Sequence, residues 1–285
     1  MGGGSGAGRP RARVGLGATR ALAGFCVAAL LVTGGWWAQQ RARAKAWAAA
    51  VYSLRGRVVA VDPGHGGIDP GAIAASGTNE DTVVLAVSLR VAAMLQQAGA
   101  IVVLTRTGDS DLAAQTEGGP TARKRVDLRS RVALINASAA DVVVSIHANH
   151  FSNPAEHGAQ TFYNAQRFRE SKELATVMQE QFQRVTGETR RVISEHIDHY
   201  VLNHADMPGV TVEIGFLSNP REARMLAEPG YQERIAFAIY RALALWFARL
   251  PQAPSPAPST PAVPGATAAL APGGGAVPGA VANPY

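Results

Sequence analysis

Four polar side chains stand at points where an apolar strand or the start of a helix does not require them. They are His65 in "DPGHGG", Glu80 after "GTN", His147 in "VVVSIHAN" and Glu213 in "VTVEIGF". A carboxylate between Val and Ile is costly if it is buried without a partner. We therefore expect Glu213 to face a metal ion, a polar partner or a reactive water molecule.

Together the four residues match the needs of a zinc hydrolase. Zinc takes two neutral imidazoles and one carboxylate as ligands and leaves a fourth position for water, whose pKa it lowers to about 7. A carboxylate that is not a ligand can then act as general base and later as general acid. We predict that His65, Glu80 and His147 bind the metal and that Glu213 is the catalytic base.

Each of these residues also has an ordinary explanation. A lone histidine is more often structural than a ligand, and Glu80 is an acid of the kind that a helix dipole favours in its first turn, with Asn79 as the cap. The ligands lie far apart in the sequence, so their spacing is not specific. Asp62 either orients His65 or caps the turn, and both assignments stay open.

The apolar pattern alternates between strands and helices along the centre of the chain. Strands are predicted over 57–62, 100–106, 141–147, 159–164, 199–203 and the first part of 209–219, and helices over 80–99, 121–138, 166–186 and 231–249. This order predicts a single α/β domain with a central, mostly parallel, twisted sheet and helices on both faces. The site is then expected at the carboxyl ends of the strands.

The charge distribution argues against a nucleic-acid partner. Of 27 basic and 21 acidic residues, seven basic ones and no acidic one lie in residues 1–50, and no charged residue follows residue 250. The central region therefore carries 20 basic and 21 acidic side chains and is close to neutral. A nucleic-acid-binding domain would need its basic patch on the folded part.

The two ends of the chain differ from its centre. Residues 21–38 are uncharged, are just long enough to span a bilayer and end in two tryptophans, so we predict a basic cytoplasmic N-terminus over 1–20, a membrane anchor over 21–38 and a linker over 39–55. A secretory signal peptide is the alternative. Residues 250–285 are rich in Pro, Ala and Gly and are predicted to be a disordered tail.

Five blocks of residues resemble, in order, the zinc-dependent N-acetylmuramoyl-L-alanine amidases of the Amidase_3 family. They are "VVAVDPGHGGIDPGA", "NEDTVVLAVSLR", "VVLTRTGD", "SIHANHFSNPAEHGAQTFY" and "PGVTVEIGFLSNPREARML", within residues 56–249. The resemblance implies one zinc ion on His65, Glu80 and His147, with Glu213 as the catalytic carboxylate. It also implies hydrolysis of the amide between N-acetylmuramic acid and L-alanine in peptidoglycan.

A longer segment after "LTR", over 108–136, resembles the sporulation and germination branch of this family. That branch implies a role in spore cortex maturation, in which muramic δ-lactam forms, and an activating protein partner. Because peptidoglycan lies outside the cytoplasmic membrane, the anchor is expected to run N-in, C-out. The catalytic domain would then face the cell wall or the space between the spore membranes.

Other functions remain open on the sequence alone. Another zinc peptidase of the cell wall would use the same metal chemistry but would release an amino acid. A non-catalytic peptidoglycan-binding domain is disfavoured, because a binding module has no use for the free carboxylate of Glu213. An anchor protein whose tail recruits partners is neither supported nor excluded.

Overall fold

A computed structural model describes residues 16–113, 119–195 and 199–251, except for the side chains of 16–24 and 26–28. The helices are α1 (Leu16–Tyr52), α2 (Glu80–Gln97), α3 (Gly119–Ala137), α4 (Glu170–Val185), α5 (Tyr200–His204), α6 (Pro220–Ala227) and α7 (Pro229–Phe247). The strands are β1 (Val58–Pro63), β2 (Ile101–Leu104), β3 (Val142–Asn149), β4 (Gln160–Tyr163), β5 (Ser194–Glu195) and β6 (Gly209–Phe216).

The six strands form one sheet in the order β2-β1-β3-β6-β4-β5. Strands β2, β1, β3 and β6 are parallel, β4 pairs antiparallel with β6, and β5 runs parallel to β4. The chain crosses over through helices between the parallel strands, as a parallel pair requires. The predicted mostly parallel α/β sheet is confirmed.

Helices cover both faces of the sheet, but unequally. On one face, α2, α4 and α7 pack on alternate strand residues such as Val59, Val144 and Val212, and this side holds most of the buried apolar residues. On the other face, a smaller cluster joins Ala60 and Val143 to residues of α3 and α5. Because strand side chains alternate between faces, Asp62, Ser145, His147 and Glu213 fall on this thinner side.

Helix α1 includes both the predicted anchor and most of the predicted linker. Near its C-terminal end, Ala50 is buried, and Leu54 in the following turn is fully buried in the main core. The packed unit thus extends into the segment that the sequence assigned to a linker. No helix among the described residues combines the length and apolar character needed to cross a membrane. Anchorage by 21–38 stays a prediction.

The sequence prediction was wrong at 199–203, where a strand was expected. The segment forms the short helix α5, with backbone bonds from Asn203 N to His199 O and from Ala205 N to Val201 O. Strand propensity is a weak guide for so short a segment. A helix buries Val201 and Leu202 in the smaller apolar cluster as well as a strand would. Of the predicted tail, residues 252–285 lie outside the described part of the chain.

Helix α6 was not predicted, although the sequence carries a signal for it. Asn219 accepts hydrogen bonds from the backbone N–H groups of Arg221 and Glu222, and Pro220 occupies the first turn. An Asn followed directly by Pro is a typical start of a helix. At α2 the sequence predicts that Asn79 caps the helix. Asn79 does hold the N-cap position, but its side chain makes no capping hydrogen bond.

Candidate metal centre and active site

His65 lies in the turn that follows β1. Its backbone φ of 59° is in the left-handed region, and Gly66 and Gly67 follow with positive φ as well. This tight turn directs the imidazole back over the carboxyl end of the sheet. The ring Nδ1 lies 2.9 Å from Asp69 Oδ2, and Nε2 lies 3.1 Å from Glu80 Oε1.

His147 and Glu80 reach the same point from two other elements. His147 lies near the end of β3, and its Nδ1 is 3.1 Å from Glu80 Oε1 and 3.2 Å from His65 Nε2. Glu80 is the first residue of α2. Its two oxygens also accept hydrogen bonds from the backbone N–H groups of Ala148 (3.0 Å) and Ala72 (2.9 Å), which fix the carboxylate.

The three predicted ligands therefore form one cluster, with one donor atom from each residue lying within 4.8 Å of the others. Ligands at about 2.0–2.1 Å from a tetrahedral zinc ion lie roughly 3.4 Å from one another. The observed separations of 3.1–3.2 Å are close to this value. Two imidazole nitrogens and one carboxylate oxygen are also the donor types that zinc prefers, so the residues fit the ion.

The electrostatics of the cluster shift the pKa values of His65 and Glu80 in opposite directions. Burial lowers the pKa of His65, but the hydrogen bond to Asp69 and the contact with Glu80 outweigh it and raise the value to about 9. Burial raises the pKa of Glu80, and the two histidines more than compensate, so that it lies well below its usual range. The cluster thus provides an ionised carboxylate in a mostly enclosed site.

Glu213 lies on β6 and is the register partner of His147 on β3. Its Oε2 atom is buried and makes no hydrogen bond to any described residue. Burial raises the pKa of Glu213 to about 7, with the histidines opposing and Glu80 adding to the shift. A carboxyl with a pKa near neutrality can both accept and deliver a proton. The structure therefore brings all four predicted residues to the same end of the sheet.

Asp62 does not serve as the partner of His65; Asp69 contacts that ring instead. The Asp62 carboxylate accepts hydrogen bonds from Thr105 (2.6 Å), Ser145 (2.7 Å) and Arg131 (2.9 Å). Of the two sequence assignments, orientation of His65 by direct contact is thus wrong. The position of Asp69, four residues after His65, was a signal that sequence reasoning missed.

Two buried arginines were also missed. Arg131 donates to the carbonyl oxygens of Pro63 and His65, and Arg106 donates to those of Pro63 and Gly64. Both side chains are almost fully buried. Since buried backbone carbonyls require donors, the two guanidinium groups supply them and hold the turn that carries His65.

The chain matches the family model described as N-acetylmuramoyl-L-alanine amidase, Amidase_3, over residues 59–244. It is 39% identical over 194 residues to the germination-specific N-acetylmuramoyl-L-alanine amidase of Bacillus subtilis, covering 68% of this chain and 81% of that relative. It is 30% identical over 234 residues to the amidase AmiA of Salmonella typhimurium, covering 67% and 76%.

Solved structures with the same fold carry related names. The CwlD amidase of Clostridioides difficile, in complex with the GerS lipoprotein, is similar with a TM-score of 0.65 and 36% identity, over 67% of this chain and 98% of that one. The catalytic domain of CwlV from Bacillus (Paenibacillus) polymyxa gives a TM-score of 0.58 and 34% identity, over 67% and 97%. The chain therefore belongs to the Amidase_3 family of N-acetylmuramoyl-L-alanine amidases, enzymes of peptidoglycan hydrolysis.

Proposed function

We propose that this amidase is zinc-dependent and cleaves the bond between N-acetylmuramic acid and L-alanine during spore cortex maturation. The observation that carries the proposal is the unpaired, buried carboxylate oxygen of Glu213 beside the cluster of His65, Glu80 and His147. A buried carboxylate oxygen without a hydrogen-bond partner is costly in a structural role. It is useful to a reaction that moves a proton.

His65, Glu80 and His147 would hold the zinc ion. When bound, zinc supplies a Lewis acid that polarises the amide carbonyl and lowers the pKa of water. Glu213 takes the proton of the attacking water and later delivers one to the departing L-alanine nitrogen. The hydrogen bonds from Ala148 and Ala72 keep Glu80 in place throughout.

The cortex role is supported by the germination-specific relative at 39% identity and by the longer segment over 108–136. We further propose that muramic δ-lactam formation depends on this cleavage, since the lactam requires a muramic acid freed of its peptide. An activating protein partner is supported by the CwlD structure, which contains the GerS lipoprotein. The peptidoglycan substrate favours an extracytoplasmic catalytic domain with an N-terminal membrane anchor over 21–38.

The test is incubation of the full chain in detergent with purified peptidoglycan, followed by mass spectrometry of the products. We expect stem peptides that begin with L-alanine. Chelator should abolish them, and added zinc should restore them. Glu213→Gln should lower the rate about 10²–10⁴-fold while zinc content is unchanged. The exposed Glu180 on α4 provides the matched control, Glu180→Gln, which should keep full activity.

The same experiment separates the competing functions. Release of single amino acids in place of whole stem peptides would indicate a peptidase. Binding of peptidoglycan without products, even with a candidate lipoprotein partner added, would indicate a binding domain. Equal rates on spore-type and vegetative peptidoglycan would contradict the cortex role.

A further inference from the structure

Lys124 links helix α3 to a metal ligand through one shared oxygen atom. Its Nζ lies 2.8 Å from Asp69 Oδ2. The same oxygen lies 2.9 Å from His65 Nδ1. A chain of three groups therefore runs from α3 to the imidazole whose other nitrogen, Nε2, is one of the clustered donor atoms.

Asp69 has few other restraints. Its second oxygen, Oδ1, accepts a hydrogen bond from Gly71 N at 3.2 Å, a long contact. Lys124 is the one Lys or Arg side chain that pairs with it within the described residues. Without Lys124, the partly exposed carboxylate could turn towards solvent. The orientation of the His65 ring would then be less restricted, because the carboxylate that contacts a ligating histidine fixes its tautomer and angle.

Lys124 is itself held at a defined place. The preceding residue, Arg123, makes a two-pronged ion pair with Asp111, at 3.0 and 3.2 Å. One turn further along α3, Asp127 accepts a hydrogen bond from Leu112 N at 2.7 Å. These contacts fix the helix on both sides of Lys124, so its ammonium group acts from a rigid support.

The ion pair of Lys124 with Asp69 is partly exposed, which allows a positioning role to be distinguished from a structural one. The side chain of Lys124 is 52% exposed. Exposed ion pairs add little to global stability, because water and salt screen them. The loss of Lys124 should therefore leave the fold as stable as before, and its effect should appear at the site that Asp69 orients.

We propose that Lys124 is a positioning residue for the zinc ligand His65, acting through Asp69. This inference rests on the proposed function, since it requires that the cluster binds zinc. It makes the affinity of the site for zinc depend on Lys124, which lines the same pocket as His65 and His147 but is not one of the three clustered donors. Simple charge repulsion by the ammonium group predicts the opposite sign, with zinc bound more tightly once Lys124 is removed.

The test measures zinc affinity by competition with a chromophoric chelator, using the zinc-free full chain in detergent. We expect Lys124→Met to bind zinc about 10-fold more weakly, at the lower end of the effect of outer-shell partners. Lys124→Arg should recover most of the affinity. Arg221, which forms an exposed ion pair with Glu188 at 3.0 Å away from the cluster, provides the matched control. Arg221→Met should bind zinc like the wild type.

Urea unfolding of the zinc-free proteins completes the test, with equal midpoints expected for Lys124→Met and the wild type. Unchanged or tighter zinc binding in Lys124→Met would overturn the inference and leave the proposed zinc site intact. A lower unfolding midpoint that accounts for the lost affinity would assign Lys124 a structural role. A wild-type chain that binds no zinc would overturn the proposed metal site, and the role of Lys124 with it.

Discussion

At the scale of single residues, the closeness of the His65 turn to β3 is set by Gly64. A Cβ atom at this position would lie 2.3 Å from His147 Cε1 and 2.5 Å from its Nδ1. Gly71 plays the same part on the other side, where a Cβ would lie 2.6 Å from Glu80 Oε2. Two ligands thus occupy the space that side chains at these positions would need.

We therefore expect Gly64→Ala to displace the His147 ring and to abolish tight zinc binding. Since the Cβ contact is far below any normal distance, the ring or the turn must move, and a misplacement of about 1 Å costs roughly 100-fold in rate. Gly108→Ala is the control, because nothing lies within 4 Å of a Cβ there. Zinc content and amidase rate are the measurements. A fully active Gly64→Ala enzyme would show that the site tolerates a wider turn.

Some residues of the site can be predicted from the local sequence around them, and others cannot. His65, Glu80, His147 and Glu213 could be found from sequence, because a polar group after or within an apolar strand needs an explanation. Arg131 could not, since its partners Asp62 and His65 are more than 60 positions away in the chain. Such contacts depend on how α3 docks on the sheet, which no local pattern specifies.

At the scale of elements, α3 is a correctly predicted helix whose buried face is mostly polar. The apolar residues that indicate this helix in the sequence are at 126, 128, 132, 134 and 135, and of these only Ile135 is buried. The buried stripe consists of Asp127, Arg131 and Ile135, spaced four residues apart. The spacing is that of one helix face, but two of its residues form an ion pair, with Arg131 Nε 2.7 Å from Asp127 Oδ2. The polar turn beneath the helix requires this polar face.

The attachment of α3 to the sheet should depend on pH through Asp62. Burial alone would raise the pKa of the Asp62 carboxyl, but Arg131 and the hydroxyl groups of Thr105 and Ser145 lower it below its usual range. A lowered folded-state pKa stabilises the protein above the unfolded value, about 3.9. This stability is lost as the pH falls through the folded-state value.

Asp62→Asn tests this dependence, because it removes the titrating group. We expect the variant to be less stable at neutral pH by about 3–5 kcal/mol, since Arg131 loses a buried partner. Its stability should also fall less steeply than that of the wild type below about pH 4. Asp206→Asn, at an exposed pair with Arg167, is the control. Urea unfolding across this range is the measurement, and parallel curves for Asp62→Asn and the wild type would contradict the assignment.

At the scale of the whole molecule, the unequal faces of the sheet divide support from chemistry. The larger apolar core lies on the side of α2, α4 and α7, where it holds the strands in place. The thinner side carries polar residues at the carboxyl ends of β1, β3 and β6, where a substrate can approach. The sequence predicts helices on both faces of the sheet and a site at the carboxyl ends of the strands, but neither the unequal size of the two faces nor the burial of the end of α1.

Residues at the end of α1 close the larger core against α7. Trp47 packs edge-on against Tyr240 with ring centres 5.8 Å apart, and Ser53 Oγ donates to Ala244 O at 3.2 Å. Leu54 is fully buried beside them. A catalytic domain cut at residue 56, the boundary that the sequence predicts, would therefore lose part of its core.

We expect Leu54→Ala to lower the free energy of unfolding by about 2–5 kcal/mol, because it leaves a cavity in a packed core. Leu31→Ala is the matched control. Leu31 lies on the same helix with 71% of its surface exposed, and its replacement should leave the stability of the catalytic domain unchanged. Urea unfolding of the full chain in detergent, followed by tryptophan fluorescence, is the measurement. Equal midpoints for Leu54→Ala and Leu31→Ala would mean that α1 and its following turn are dispensable to the fold, and that a chain starting at residue 56 is as stable as one starting at residue 46.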